Sequence, residues 1–200
     1  MVISRTPVAA PPGDTPLVGR ILAAAFTDDP VTRWLFPDGT ADREERLARY
    51  YALLHRHQYA PHALCERTDA AAAFWVPPEA QEQAVPDAAA LRELPELLGE
   101  RGTTRLHATF ALVARHTPHT PHWYLAVLGT EPAARGRGHG GALLRSGLAR
   151  ADAAGLPACL ESSQRANLPL YEHFGFTVRA ELPLPHGGPP VWQMWREPAG

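Results

Sequence analysis

Residues 122–144, His-Trp-Tyr-Leu-Ala-Val-Leu-Gly-Thr-Glu-Pro-Ala-Ala-Arg-Gly-Arg-Gly-His-Gly-Gly-Ala-Leu-Leu, run from an apolar segment through a glycine-rich turn into a helical pattern. Trp123 to Leu128 carries no charge, which suits a strand buried within a sheet. Pro132 ends it. From Gly138 onward Leu144, Leu148 and Ala151 recur on one helical face, while Arg145, Arg150 and Asp152 fall elsewhere. Between strand and helix, the glycines of Arg135-Gly-Arg-Gly-His-Gly-Gly141 remove side chains where backbone N–H groups must approach an anion. The positive end of the helix dipole lies behind them. Arg135 and Arg137 would complete a cradle for a diphosphate.

Two other phosphate-binding patterns can be weighed against these residues. Gly136, Gly138 and Gly141 fit the dinucleotide spacing G-x-G-x-x-G, and Glu161 follows about 20 residues later at the end of an apolar run. Against it, Gly129 to Arg135 separates the strand from the first glycine, and only 39 residues remain after Glu161 for the rest of a doubly wound sheet. A Walker loop needs a lysine, and all 19 of the Lys and Arg residues are arginine. A flexible turn without a ligand stays open as the plainest alternative.

The 200 residues, 45% hydrophobic, suffice for one compact domain over 1–200, with residues 1–12 a frayed lead or a short first strand. A formal charge of −2 argues against a nucleic-acid surface. Cys65 and Cys159 are too few for a disulfide framework, so a reducing cytoplasm is expected. Residues 1–13 lack the apolar core of a signal peptide, and no segment reaches the length of a membrane span.

Along the chain, Asp14 is expected to cap a helix with Leu17, Ile21, Ala24 and Ala25 inward, ending near Asp28-Asp29-Pro30. A second helix is predicted over 42–57, with Leu47, Tyr50 or Tyr51 and Leu54 facing the core. Strands follow over 63–68 and 70–76. Residues 87–102 read as helical, and a further helix capped by Thr103 shows Leu106, Phe110 and Val113 at helical spacing. His116, His119 and His122 lie in a proline-broken connector that cannot pair histidines at i, i+4, so no metal site is expected. After the glycine-rich helix, residues 157–161 read as a strand parallel to 123–128. Asn167 then caps a short helix ending at Gly175, and residues 176–182 and 191–196 close the fold as an antiparallel pair.

The spacing Arg135-x-x-Gly138-x-Gly140, followed by Asn167-x-x-x-Tyr171-Glu172-x-x-Gly175-Phe176, resembles the two signature segments of the GNAT superfamily of N-acetyltransferases. Within it the chain is similar to the puromycin N-acetyltransferases and their relatives, most densely from Pro121 to Val178. That resemblance implies an α+β fold with a mixed sheet splayed at strands 4 and 5. It implies acetyl-coenzyme A as co-substrate, held by Leu128, Gly129, Thr130, Arg135, Gly136, Arg137, Gly138, His139, Gly140, Gly141 and Asn167. It implies transfer to the primary amine of a small molecule, antibiotic-like acceptors included. Tyr171 matches the tyrosine that protonates the departing sulfur. Some relatives carry a basic glutamate where this chain has Tyr124, so Glu161 is the first candidate for general base, followed by His122. Asp28, Asp29 and Trp34 fall in the loop that borders the acceptor, where carboxylates beside an indole suit a cationic amine. A catalytically silent coenzyme A-binding module and a dinucleotide-binding protein stay as alternatives, and monomer and homodimer are equally open.

Overall fold

The strand Ala71–Val76 is buried along its whole length, and its alternate residues face two different cores. Ala72, Phe74 and Val76 join one cluster, whereas Ala71, Ala73 and Trp75 join the other, as the period-2 geometry of a strand covered on both faces requires. This is β3 of a seven-stranded sheet in the computed structural model, which describes residues 4–36 and 42–199. The other strands are β1 (Val8–Ala9), β2 (Leu64–Arg67), β4 (Trp123–Thr130), β5 (Ala158–Ser162), β6 (Thr177–Pro183) and β7 (Pro190–Arg196). Their order is β1-β2-β3-β4-β5-β7-β6, and β4–β5 is the parallel pair in an otherwise antiparallel arrangement. The sheet is therefore the mixed one expected from the sequence.

Helices α1 (Thr15–Phe26), α2 (Pro30–Leu35), α3 (Arg43–Leu54) and α4 (Ala88–His116) precede β4, and α5 (His139–Ala153) and α6 (Leu168–His173) follow it. Helices α1, α3 and α4 build the first core with Ile21, Leu22, Leu47 and Leu97. Helix α5 builds the second with Leu143, Leu144 and Leu148 against Trp75. Leu47, Leu54 and both Tyr50 and Tyr51 are buried.

Several local expectations are corrected. Asp14 makes no capping bond to α1; its carboxylate accepts from Arg67 Nε at 2.7 Å instead. The first helix ends at Phe26, close to the expected Asp28-Asp29-Pro30, and Asp29 goes on to cap α2, an element the sequence pattern does not separate from the loop. The two helices expected over 87–116 are both present within α4, but they part at Gly99, whose φ of 68° and ψ of 172° are not helical and favour glycine, and not at Gly102–Thr103. Thr103 consequently lies inside the first turn of the second helix, its hydroxyl donating to Gly99 O at 2.8 Å. Asn167 makes no side-chain cap.

Strand β4 was expected to be buried and is mostly half-buried. The cause lies in its pairing. On β3, Phe74 faces Val127 while the next residue, Trp75, faces Leu125, so Ala126 is an extra residue, a bulge that bends β4. On the other side, parallel pairing with β5 stops at Leu125↔Leu160. From Ala126 to Thr130 the edge of β4 has no partner on β5, and the sheet opens there.

Helix α5 is seated by Gly147, where an added Cβ would lie 2.2 Å from the buried Trp75 ring. Helix propensity alone would make Gly147→Ala stabilising by about 1 kcal/mol. Overpacking against a rigid indole costs about 1–3 kcal/mol, so a lower melting temperature and denaturant midpoint are expected. A rise in both would contradict this packing.

Candidate active site

The glycine-rich turn is folded as an anion cradle. Gly138 is the residue before α5, with φ at 86°, and the first intrahelical bond runs from Ala142 N to its carbonyl at 3.0 Å. The amides of Gly138, His139, Gly140 and Gly141 thus lack intrahelical partners and sit at the positive end of the helix. They border a hollow of about 520 Å³ also lined by Leu128, Gly129, Thr130, Arg135, Gly136 and Asn167. An added Cβ at Gly140 would lie 3.1 Å from Thr130 Oγ1, so the turn packs closely against the strand end and a side chain there would need Thr130 to shift. A diphosphate fits this chemistry.

Two expected cradle residues contribute differently. His139 lines the hollow but is buried, with its ring Nδ1 2.9 Å from Thr68 Oγ1. Arg137 is exposed and does not line the hollow; its carbonyl accepts from Arg5 at 3.3 Å. Arg135 ties the turn to α1 through Ala25 O at 2.8 Å. The sequence reasoning missed Arg145 and Gln164, which also line the hollow. Arg145 follows Gly141 by four residues, one helical turn, a spacing that would have found it.

A second hollow of about 230 Å³ lies where β4 and β5 part, and it shares Phe26, Asp29, Leu128, Asn167 and Tyr171 with the first. Tyr171 on α6 is buried, and its hydroxyl has no hydrogen bond among the described residues. Burial, with the Asp29 carboxylate nearby, pushes it up to about 12. It therefore keeps its proton at neutral pH. Glu161 lines the second hollow, accepting from Tyr124 OH at 2.8 Å and from Gln193 Nε2 at 3.1 Å. Desolvation holds its carboxyl above the usual carboxylate range, against the two hydrogen bonds that pull it down. Tyr124, set aside as a base from sequence, is the donor that orients this carboxylate.

Of the residues expected at the acceptor, Asp29 alone lines the hollows. It is 3% exposed and accepts from Val31 N and Thr32 N, each at 3.0 Å, from Gln164 Nε2 at 3.3 Å, and from Ser163 Oγ. It thereby joins the start of α2 to the end of β5 across the opening. Asp28 points into solvent, 85% exposed, with Arg33 at 3.9 Å. Trp34 packs with Leu182, Leu184 and Val191 under the Arg105 guanidinium, 4.9 Å from its ring centre, away from both hollows. His122, the second candidate base, lines neither hollow. Among the described residues no group of His, Cys, Asp or Glu is arranged to hold a metal, and no helix is long and apolar enough to cross a membrane.

Comparison with known proteins agrees with this geometry. The model of the acetyltransferase (GNAT) family matches residues 23–176. An uncharacterised N-acetyltransferase of Schizosaccharomyces pombe is 37% identical over 78 residues, 38% of this chain, and the match spans about a third (32%) of that relative's length. A Corynebacterium glutamicum crystal structure described as histone acetyltransferase HPA2 and related acetyltransferase superposes with a TM-score of 0.73 at 28% identity, covering 98% of this chain and 97% of that one. An N-acetyltransferase from Staphylococcus aureus Mu50 gives a TM-score of 0.62 at 18% identity, with 95% and 99% of the chains covered. The Drosophila melanogaster polyamine N-acetyltransferase gives 0.58 at 18% identity, with 96% and 99% covered. With a family model matching most of its length and the bulged, splayed sheet beneath an anion cradle, the chain belongs to the GNAT family of acetyltransferases.

Proposed function

We propose that this protein transfers the acetyl group of acetyl-coenzyme A to the primary amine of a small molecule. The observation that carries the proposal is that the diphosphate cradle and the hollow holding Glu161 adjoin at Tyr171, on the unpaired edge of β4. Bound there, acetyl-coenzyme A would supply an activated thioester. The free amides of α5 and the loop would hold its diphosphate, with Arg145 at the rim. The unpaired β4 edge near Leu128 to Thr130 would offer main-chain N–H groups to the pantetheine arm and to the developing oxyanion.

Each titrating residue then has a role suited to its surroundings. Glu161, oriented by Tyr124 and Gln193, accepts the proton the ammonium must lose to become a nucleophile. Its raised affinity for a proton makes it a better base than an exposed carboxylate. Tyr171 holds a proton for the departing sulfur. The same dry surroundings that raise the phenol also raise the thiol leaving beside it, so the two acids stay comparable. Asp29, saturated by its four donors, fixes the loop after β5 against α2 and so holds the opening in register.

The first test is binding. Calorimetry should detect acetyl-coenzyme A and no NAD, and release of free thiol should follow addition of an amine from a panel of polyamines, a lysine-bearing peptide and aminonucleosides. Binding without thiol release from any amine would favour a silent coenzyme A-binding module, and binding of NAD alone a dinucleotide-binding one.

Two variants probe the parts. At Gly138 a Cβ is strained by the positive φ, so Gly138→Val should lower coenzyme A affinity about tenfold or more, about 1.4 kcal/mol; unchanged affinity in a folded variant would take the loop out of the site. Glu161 must be ionised to act, and its ionised form is lost as pH falls through a pKa raised above the ordinary carboxylate value. The acid limb of kcat at saturating amine should therefore lie above the ordinary value of about 4.3. Glu161→Gln should abolish that limb and lower kcat by about 10²-fold. Retention of the limb in the variant would assign it to another group.

A further inference from the structure

The hollow that holds Glu161 has a second exit. Tyr59, Phe110, Val113 and Tyr124 line it and also line a larger cavity of about 900 Å³, between the loop after β3, the second half of α4 and the connector into β4. None of the residues of this chamber lines the coenzyme A hollow. A volume of this order is that of a pocket for a drug-sized molecule, and a short alkylamine would fill little of it.

The walls point the same way. Phe110, at a position expected to face the core, is 41% exposed on the chamber side of α4, and Val85 opposite is 55% exposed. Apolar side chains kept open around a concavity mark a binding surface more than a solvated face does. Two wall residues also carry a buried polar atom without a partner, Gln58 Oε1 and His122 Nε2. Gln58 Nε2 donates to Ala84 O at 3.0 Å, which pins the amide and identifies Oε1 as the orphan. His122 Nδ1 lies 2.7 Å from Thr120 O, a carbonyl that can only accept, so Nδ1 bears the hydrogen and the neutral ring offers a lone pair at Nε2. Burial keeps that ring unprotonated. Exposed Glu79 and Glu82 add two carboxylates. Both buried side-chain atoms that this wall leaves without a partner are thus acceptors.

We infer that this chamber receives the body of the acceptor, and that the acceptor is a primary amine carrying a bulky, largely apolar body with hydrogen-bond donors rather than a short diamine. The inference rests on the acetyl-transfer reading above, with Tyr124 at the passage between reacting nitrogen and body.

Dansylcadaverine and cadaverine test it, since they share one aminopentyl arm and differ by a naphthalenesulfonamide body. With coenzyme A bound, dansylcadaverine should bind with a blue shift of its emission, and its kcat/KM for acetyl transfer should exceed that of cadaverine by about tenfold or more. Ala114→Trp, which fills the chamber from α4, should cut that ratio by about tenfold. Val85→Trp carries the same test should Ala114→Trp not fold. Equal kcat/KM for the two amines, or a ratio unmoved by a folded filling variant, would overturn the inference. Acetylation of cadaverine without binding of dansylcadaverine would overturn the chamber and spare the reaction. A blue-shifted complex that filling variants abolish, with no amine ever acetylated, would spare the chamber and overturn the reaction.

Discussion

A single extra residue in β4 opens the sheet. Because Ala126 has no counterpart on β3, the strand bends just where its parallel pairing with β5 ends at Leu125↔Leu160. Unpaired backbone groups inside a protein are costly; here they line a cleft that a ligand with its own donors and acceptors can enter. On the far side, β5 stays paired with β7 from Ala158 to Ser162, so the opening is anchored by two rigid halves. The cradle at α5, Tyr171 on α6 and Glu161 on β5 all face this opening, and none would meet the others in a continuous sheet.

The site's electrostatics follow from the same dryness. Glu161 and Tyr171 are both shifted upward chiefly by desolvation, yet with different partners. Glu161 is held by Tyr124 and Gln193, which favour its charged form, whereas Tyr171 has no hydrogen-bond partner among the described residues and stands near the Asp29 carboxylate, which disfavours the phenolate. Those surroundings suit the roles proposed for them, Glu161 as the group that takes a proton and Tyr171 as the one that keeps its own. Asp29 links the two halves of the opening without itself being free to accept more.

The legible part of the sequence was the local part. The glycines of the turn are read locally: Gly138 takes the left-handed conformation that favours glycine, and at Gly140 a Cβ would crowd Thr130 Oγ1 at 3.1 Å. The mixed sheet and its parallel pair followed from alternating strand and helix patterns. The bulge at Ala126 was not legible, since it exists only in register with β3. Capping was misjudged where a tertiary partner competes: Asp14 serves Arg67 and makes no capping bond to α1. Asp29 was placed near the acceptor but as a helix end, and its four donors, two of them from the loop after β5, were out of reach of a local pattern. Trp34 and Asp28, grouped with it by proximity in sequence, part from it because α2 starts at Pro30 and turns them elsewhere. The chamber beyond Tyr124 comes from segments far apart in the chain, and the helical spacing of Phe110 says nothing of its opening onto that chamber.

If the Tyr171 hydroxyl, between the cradle and Glu161, is the acid that protonates the departing sulfur, Tyr171→Phe removes it and leaves the ring in place. The hydroxyl has no hydrogen-bond partner among the described residues, so its removal should leave coenzyme A affinity and melting temperature unchanged or slightly raised. Measured where chemistry limits the rate, kcat should fall by about 10²-fold or more, the usual loss when a general acid is removed. A folded variant whose kcat stays within about threefold of the parent would rule the hydroxyl out as that acid.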